Sequence, residues 1–287
     1  MNRVDKVIFV VLDGLNAKTA HNHMGFLEHL VEKGIMAAYT IKSEMPAQSR
    51  PLYEVLQTGV PAAENGITSN RTVRRSKEQS VFEIAKDNGL KTGAAAYFWV
   101  SELYNRAPFQ MMEDRIQLDT NALIEHGIFY HEDHYPDSHL IADGDYLIRK
   151  KATDYTLIHS MNIDDAGHKF GADSKEYVQA AVRVDAELSQ YIWRWMSEGY
   201  QIVVTSDHGM NDYHTHNGIS DEDRLVPLYL FSDKVIVKDF RKEEAVVPQL
   251  EIAPFLCNLL GIPAGDRMQA VQGILMKRGS EIGRAHV

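Results

Sequence analysis

A single cysteine, Cys257, stands in a chain of 287 residues, so no disulfide can form within it, and the composition fits a reducing compartment. Basic residues are outnumbered: 30 Lys and Arg face 40 Asp and Glu, a formal net charge of -10. A nucleic-acid polymer is thereby disfavoured as a partner, because phosphate contacts need a basic surface. Long apolar runs are also missing. The N-terminal run covers only Val7 to Leu12, too short for the core of a signal peptide or for a membrane span, and no later run is long enough for a membrane span. There is no internal repeat and no low-complexity linker. The expectation is a soluble, cytoplasmic protein with no membrane partner, built as one domain over residues 1–280. The last residues, EIGRAHV (281–287), look like a translated sequencing adapter, and no function is read from them.

What is present points to an α/β chain. A hydrophobic content of 44% suffices for a large core. Strands are expected at Val7–Leu12, Ala37–Ile41, 90–99, Tyr155–Ile158, Ile202–Val204 and Val226–Phe231. Between them lie helical patterns at Ala17–Lys33, 80–89, 174–197 and Ile252–Leu260, the last stopped by Gly261. Such alternation implies a mostly parallel central sheet with helices on both faces. Residues 101–150 lose the alternation and gather aromatics, acids and histidines, so they are expected to form an inserted lid that selects the substrate. His131, His134 and His139 in that stretch are expected in a solvated loop, and the basic run Arg71, Arg74, Arg75 in a solvated turn.

Chemistry is expected where strands end, because in open α/β sheets sites gather at the carboxyl ends. Asp13 follows the first strand. Asp164 or Asp165, with His168, follows the strand at 155–158, spaced so that either carboxylate shares a face with the imidazole if that turn is helical. Asp207 and His208 follow the strand at 202–204, with His214 and His216 beyond them. A carboxylate and imidazole mixture suits zinc, and these ligands suffice for two divalent ions. In SEMPAQSRPLYEVLQTG, Pro51 belongs in the first turn of a helix, which puts Ser49 at or beside its N-cap, near free N–H groups and the positive end of the dipole.

The order VLDG, S-x-P before T-G, D-x-x-G-H, S-D-H-G-M and a late H-x-G resembles the alkaline phosphatase superfamily. It is most similar to the nucleotide pyrophosphatase/phosphodiesterase branch, whose members also show segments like GITSN (66–70) and AAYFW (95–99). The resemblance runs from residue 7 to about 275. It implies that Asp13, Asp207, His208 and the Ser49 oxygen surround one ion, and that Asp164, His168 and His216 hold the other. It favours Asp164 over Asp165, and His216 over His214. The ions would be divalent, zinc or else manganese, and Ser49 the nucleophile. Two departures stand out. The branch usually carries threonine as nucleophile, with an asparagine soon after the following proline; here Ser49 is followed by Arg50, Pro51 and Leu52, so Arg50 is the candidate replacement donor to phosphoryl oxygens. A sulfatase is disfavoured, because Leu52 and Tyr53 break its C/S-x-P-S-R pattern.

The function these residues imply is that of a metal-dependent phosphoric ester hydrolase acting on a small phosphodiester or pyrophosphate through a phosphoseryl intermediate. The ions and the backbone N–H groups beyond Ser49 are expected to stabilise its transition state. The alternatives are a phosphomutase or phosphomonoesterase of the same superfamily and, in a different class, a silent metal-binding protein.

Overall fold

In the computed structural model, which describes residues 5–243 and 245–277, nine strands form one sheet: β1 (Lys6–Leu12), β2 (Ala37–Lys42), β3 (Thr92–Tyr97), β4 (Ile116–Gln117), β5 (His126–Tyr130), β6 (Tyr155–Ser160), β7 (Tyr200–Thr205), β8 (Leu225–Phe231) and β9 (Val246–Pro248). Their spatial order is β4-β5-β3-β6-β1-β7-β8-β2-β9. Pairing is parallel except where β4 meets β5 and where β8 meets β7 and β2, so only β4 and β8 run against the rest. The expected architecture is therefore present: an α/β fold around a mostly parallel sheet. The adapter-like tail lies outside the described residues.

The strands alternate between two cores. Val7, Phe9 and Val11 of β1 point to one face, packed against Tyr53 and Leu56, Phe82 and Ile84, and Phe255 and Leu256 of three helices. Ile8, Val10 and Leu12 point to the other face, covered by Leu27 and Leu30, Leu140, Tyr177, Val184 and Trp195. Both faces of the central strands are buried, which explains why they read as continuous apolar runs.

Two expected helices are each divided. The pattern over 17–33 forms Ala17–His23 and Gly25–Glu32, because the N–H groups of Phe26 and Leu27 are capped by Asp185, 2.7 and 3.1 Å away on a distant helix. A cap supplied from 159 residues downstream leaves no mark in the local sequence. The pattern over 174–197 divides into Lys175–Ser189 and Ile192–Ser197. Residues 101–150 both extend the sheet at one edge and cover part of one face. They supply β4 and β5, and the helix Asp137–Tyr146 places Leu140 and Ile141 in the core. Short strands of two and five residues carry too little periodicity to be read from sequence.

Candidate metal centre

The sheet order decides the site. Strands β6, β1 and β7 are neighbours and parallel, so their carboxyl ends lie side by side on one rim. Asp13 follows β1, Asp207 and His208 follow β7, and the helix Asn162–Phe170 carrying Asp164 follows β6. Gly14 makes the close approach feasible. Its φ is +74°, and a Cβ there would stand 2.8 Å from the Asp164 Cα, so a side chain would displace Asp164.

Ser49 is the first residue of the helix Ser49–Thr58, beside the N-cap Gln48, with Pro51 in the first turn. It is 3% exposed, and its Oγ lies 3.1 Å from His208 Nε2. His208 Nδ1 is 2.9 Å from the Gly209 carbonyl oxygen, which can only accept, so the proton sits on Nδ1 and Ser49 donates to Nε2. The same logic applies to His216 Nδ1, 2.6 Å from the Ala47 carbonyl, and to His168 Nδ1, 2.9 Å from the His214 carbonyl. All three imidazoles are thus fixed with Nε2 as a lone-pair donor, the arrangement seen where backbone carbonyls orient metal-binding histidines.

Those lone pairs face carboxylates. His208 Nε2 lies 3.4 Å from Asp13 Oδ1 and 3.2 Å from Asp207 Oδ2; His216 Nε2 lies 3.8 Å from Asp164 Oδ1, and His168 Nε2 lies 3.4 Å from Asp164 Oδ2. Asp13 Oδ1, Asp164 Oδ1 and Asp207 Oδ2 are buried and accept no hydrogen bond. Among the described residues no lysine or arginine pairs with any of the three. Burial, the largest cause in each case, pushes Asp13 well above the usual carboxylate range, Asp164 up to about 7 and Asp207 up to about 6. Burial also holds His208 and His216 down at about 3, so both are neutral. Carboxylate oxygens and imidazole lone pairs converging in this way form an arrangement that a bound cation would satisfy. The donor set fits divalent ions: the ligand atoms of Asp13, Asp207 and His208 lie within 4.8 Å of one another, as do those of Asp164, His208 and His216.

The structure thus gathers Asp13, Ser49, Asp164, Asp207, His208 and His216 into one buried cluster. His168 stands at its solvent edge, 44% exposed, its ring centroid 5.1 Å from that of His216. His216 stacks on His208, centroids 3.5 Å apart, whereas His214 is exposed and has a φ of +61°. Asp165 turns outward to Lys169, 2.6 Å away. His131, His134 and His139 are exposed, and Arg74 and Arg75 donate to the carbonyls of Asn65 and Tyr104.

One expectation about phosphoryl binding is overturned. The backbone N–H groups beyond Ser49 are not free: Arg50 donates to Asn70 Oδ1 at 3.0 Å, Pro51 has none, and Leu52 donates to the Gln48 carbonyl at 3.1 Å. Arg50 is 1% exposed and ion-paired, its Nη1 2.7 Å from Glu102 Oε2, and its guanidinium sits 4.5 Å from the Trp99 ring centroid, while its Nε has no hydrogen-bond partner.

Two contributors went unread in the sequence. Tyr53 and His159 both hydrogen-bond Asp13 Oδ2, His159 Nε2 at 3.1 Å. A signal existed for each: Tyr53 falls one helical turn after Ser49, and a histidine inside the apolar strand Tyr155–Ser160 needs a buried partner.

A family model for type I phosphodiesterase / nucleotide pyrophosphatase matches residues 7–246. The chain is 24% identical over 275 residues to the catalytic subunit of human GPI ethanolamine phosphate transferase 2, covering 90% of this chain and 26% of that protein. To the catalytic subunit of human GPI ethanolamine phosphate transferase 3 it is 30% identical over 111 residues, 38% of this chain and 10% of that protein. The chain thus spans well under half the length of these relatives. Among solved structures, human ectonucleotide pyrophosphatase / phosphodiesterase 5 has a TM-score of 0.68 at 12% identity, covering 93% of this chain and 97% of that one. The C-terminal periplasmic domain of EcEptC from Escherichia coli gives 0.63 at 12%, covering 94% and 85%. These structural likenesses show a shared fold, and the matched span of 7–246 goes further. The chain belongs to the type I phosphodiesterase / nucleotide pyrophosphatase family, whose members are enzymes acting on phosphoric esters.

Proposed function

We propose that the chain is a metal-dependent phosphoric ester hydrolase that uses Ser49 as its nucleophile on a small phosphodiester or pyrophosphate. The observation carrying this reading is the placement of Ser49 Oγ, 3.1 Å from His208 Nε2, beside three buried carboxylates with unpartnered oxygens. Asp13, Asp207, His208 and Ser49 would hold one divalent cation, and Asp164, His168 and His216 the other, with His208 near enough to Asp164 and His216 to border both. Zinc suits this mixture best, and manganese accepts it. When bound, the two cations supply positive charge that lowers the pKa of the serine hydroxyl and neutralises developing charge on the phosphoryl group.

The residues supply the rest. The first turn of the helix Ser49–Thr58 presents Oγ, and the helix dipole favours negative charge there. Oγ attacks phosphorus in line, the bond to the leaving oxygen breaks, and a phosphoseryl group results. In a hydrolase, water cleaves that group and Ser49 is restored.

A second reading has an observation of its own. The curated relatives are named as ethanolamine phosphate transferases, so the second acceptor could be an alcohol instead of water. A mutase differs again by returning the phosphoryl group to another hydroxyl of its own substrate. Product analysis separates the three: a hydrolase yields a free monoester or inorganic phosphate, a transferase an ester of a second alcohol, and a mutase an isomer of its substrate with no phosphate released. The nucleophile is tested by Ser49→Ala, expected to lower turnover by several orders of magnitude while the bound metal persists. Full activity in Ser49→Ala would refute the assignment.

A further inference from the structure

Asp13 has one oxygen bonded by two side chains from other segments, whereas Asp207 Oδ1 accepts from the Gly14 N–H and Ser206 Oγ, both at 3.4 Å. Tyr53 donates its hydroxyl to Asp13 Oδ2, and His159 Nε2 lies 3.1 Å from the same oxygen. Beside a bound cation the Asp13 carboxylate is ionised and can only accept, so His159 would carry its proton on Nε2 and both groups would be donors. Oδ1 receives neither; it is buried, unpartnered and 3.4 Å from His208 Nε2. Both donors are themselves immobile. Tyr53 is 3% exposed and His159 1%, and their rings meet edge to face with centroids 4.5 Å apart.

The chain origins of the two donors add a second point. Tyr53 sits four residues after Ser49 on the same helix, so it and the nucleophile share a face. His159 lies on β6, beside Val11 of β1 in the sheet register. One oxygen of Asp13 is therefore tied at once to the helix that carries the nucleophile and to the strand that leads to Asp164.

We propose that Tyr53 and His159 are positioning residues of the cation site, which by saturating Asp13 Oδ2 dedicate Oδ1 to the cation beside Ser49. The inference rests on the two-cation reading above. Donors that orient a metal-binding side chain are worth about 10- to 100-fold in metal affinity. The effect belongs to one of the two cations, because neither donor touches Asp164, His168 or His216.

The test is calorimetric titration of Zn2+, and separately Mn2+, into the metal-free full chain. Wild type is expected to bind two ions. Tyr53→Phe keeps the ring and loses the hydroxyl, and it is expected to bind one ion about 10- to 100-fold more weakly and the other unchanged. His159→Leu is expected to do the same, while His159→Gln, which keeps an N–H donor, recovers most of the affinity. The metal-free proteins should share one thermal midpoint; if His159→Leu does not fold, Tyr53→Phe decides alone. Wild-type affinity for both ions in Tyr53→Phe overturns the proposal and leaves the two-cation reading standing. So does an equal loss at both ions with a lowered metal-free midpoint, which marks a merely structural role. A wild-type chain that binds neither metal removes the two-cation reading, and this inference with it.

Discussion

Two groups of buried carboxylates lie about the helix Ser49–Thr58 and its neighbours, and they are treated oppositely. Glu54, on the helix itself, has both oxygens occupied: Ser76 Oγ donates to one and Tyr104 OH, 2.9 Å away, to the other. Asp137 is partnered at one oxygen, Oδ1 accepting from Ser160 Oγ at 2.5 Å. Burial lifts Glu54 to about 7 and Asp137 to about 6, and neutral hydroxyls satisfy them in place. Asp13, Asp164 and Asp207 are as deeply buried, yet each keeps an oxygen with no hydrogen-bond partner, aimed at the others and at imidazole lone pairs. Burial alone therefore does not mark a functional acid. The distinguishing feature is whether the fold completes the carboxylate by itself or leaves it for a cation.

The contrast is broken most forcefully at Asp207. Replacing it with Asn should lower turnover by orders of magnitude and abolish binding of at least one ion, while the metal-free protein is no less stable, since an uncompensated buried charge has gone. Steady-state rates and metal analysis, with thermal melts under chelator, check this. Adding the cation is the complementary experiment. Ligand at a thousand times its dissociation constant stabilises by about 4 kcal/mol, so the melting midpoint should climb with zinc and fall back with chelator. The same titration should leave Glu54 and its hydroxyl partners unaffected.

Gly14→Ala strikes the geometry and not the charge. With φ at +74° and a Cβ placed 2.8 Å from the Asp164 backbone, the variant should lose about 1–3 kcal/mol and bind the ions more weakly, as denaturant melts and metal titration would show. Glu54→Gln sharpens the other half of the comparison through pH. The folded state raises Glu54 from its ordinary 4.5 to about 7, so it binds a proton that the unfolded chain releases between those values. The stability this contributes is complete below pH 4.5 and is lost as pH rises through about 7. In Glu54→Gln that decline should be shallower by up to about 3 kcal/mol, measured as unfolding free energy against pH. Smallest of all is Asp165→Asn. Its pair with Lys169 faces solvent, so stability should change by less than about 0.5 kcal/mol and turnover hardly at all, in contrast to Asp164→Asn one residue away.

Much of this could be read along the chain. The ends of β1, β6 and β7 were legible because fully buried parallel strands are continuous apolar runs that stop abruptly at acids. The helix Ile252–Leu260 was legible because Gly261, with φ +72°, is a residue that ends helices. The division at Met24 was not, because its cap comes from Asp185. Strands β4 and β5 escaped because their own pattern is short. At the site, residue types and spacing narrowed the ligands, but only the helical turn at 162–170 shows Asp164 inward and Asp165 outward. The freedom of the N–H groups after Ser49 was misread, since a helix start looks open until Asn70, twenty residues on, is found bonded to Arg50.

By itself the amino-acid sequence determined which side chains stand at the ends of apolar runs, because hydrophobic periodicity and helix punctuation are local effects of burial and backbone sterics. Tertiary structure alone decided that β6, β1 and β7 are neighbours, and hence that Asp164, Asp13 and Asp207 share one pocket. It also decided which oxygen of each carboxylate is left open. Strand order and side-chain orientation are set by contacts between segments some 150–190 residues apart, whose energies no local pattern contains.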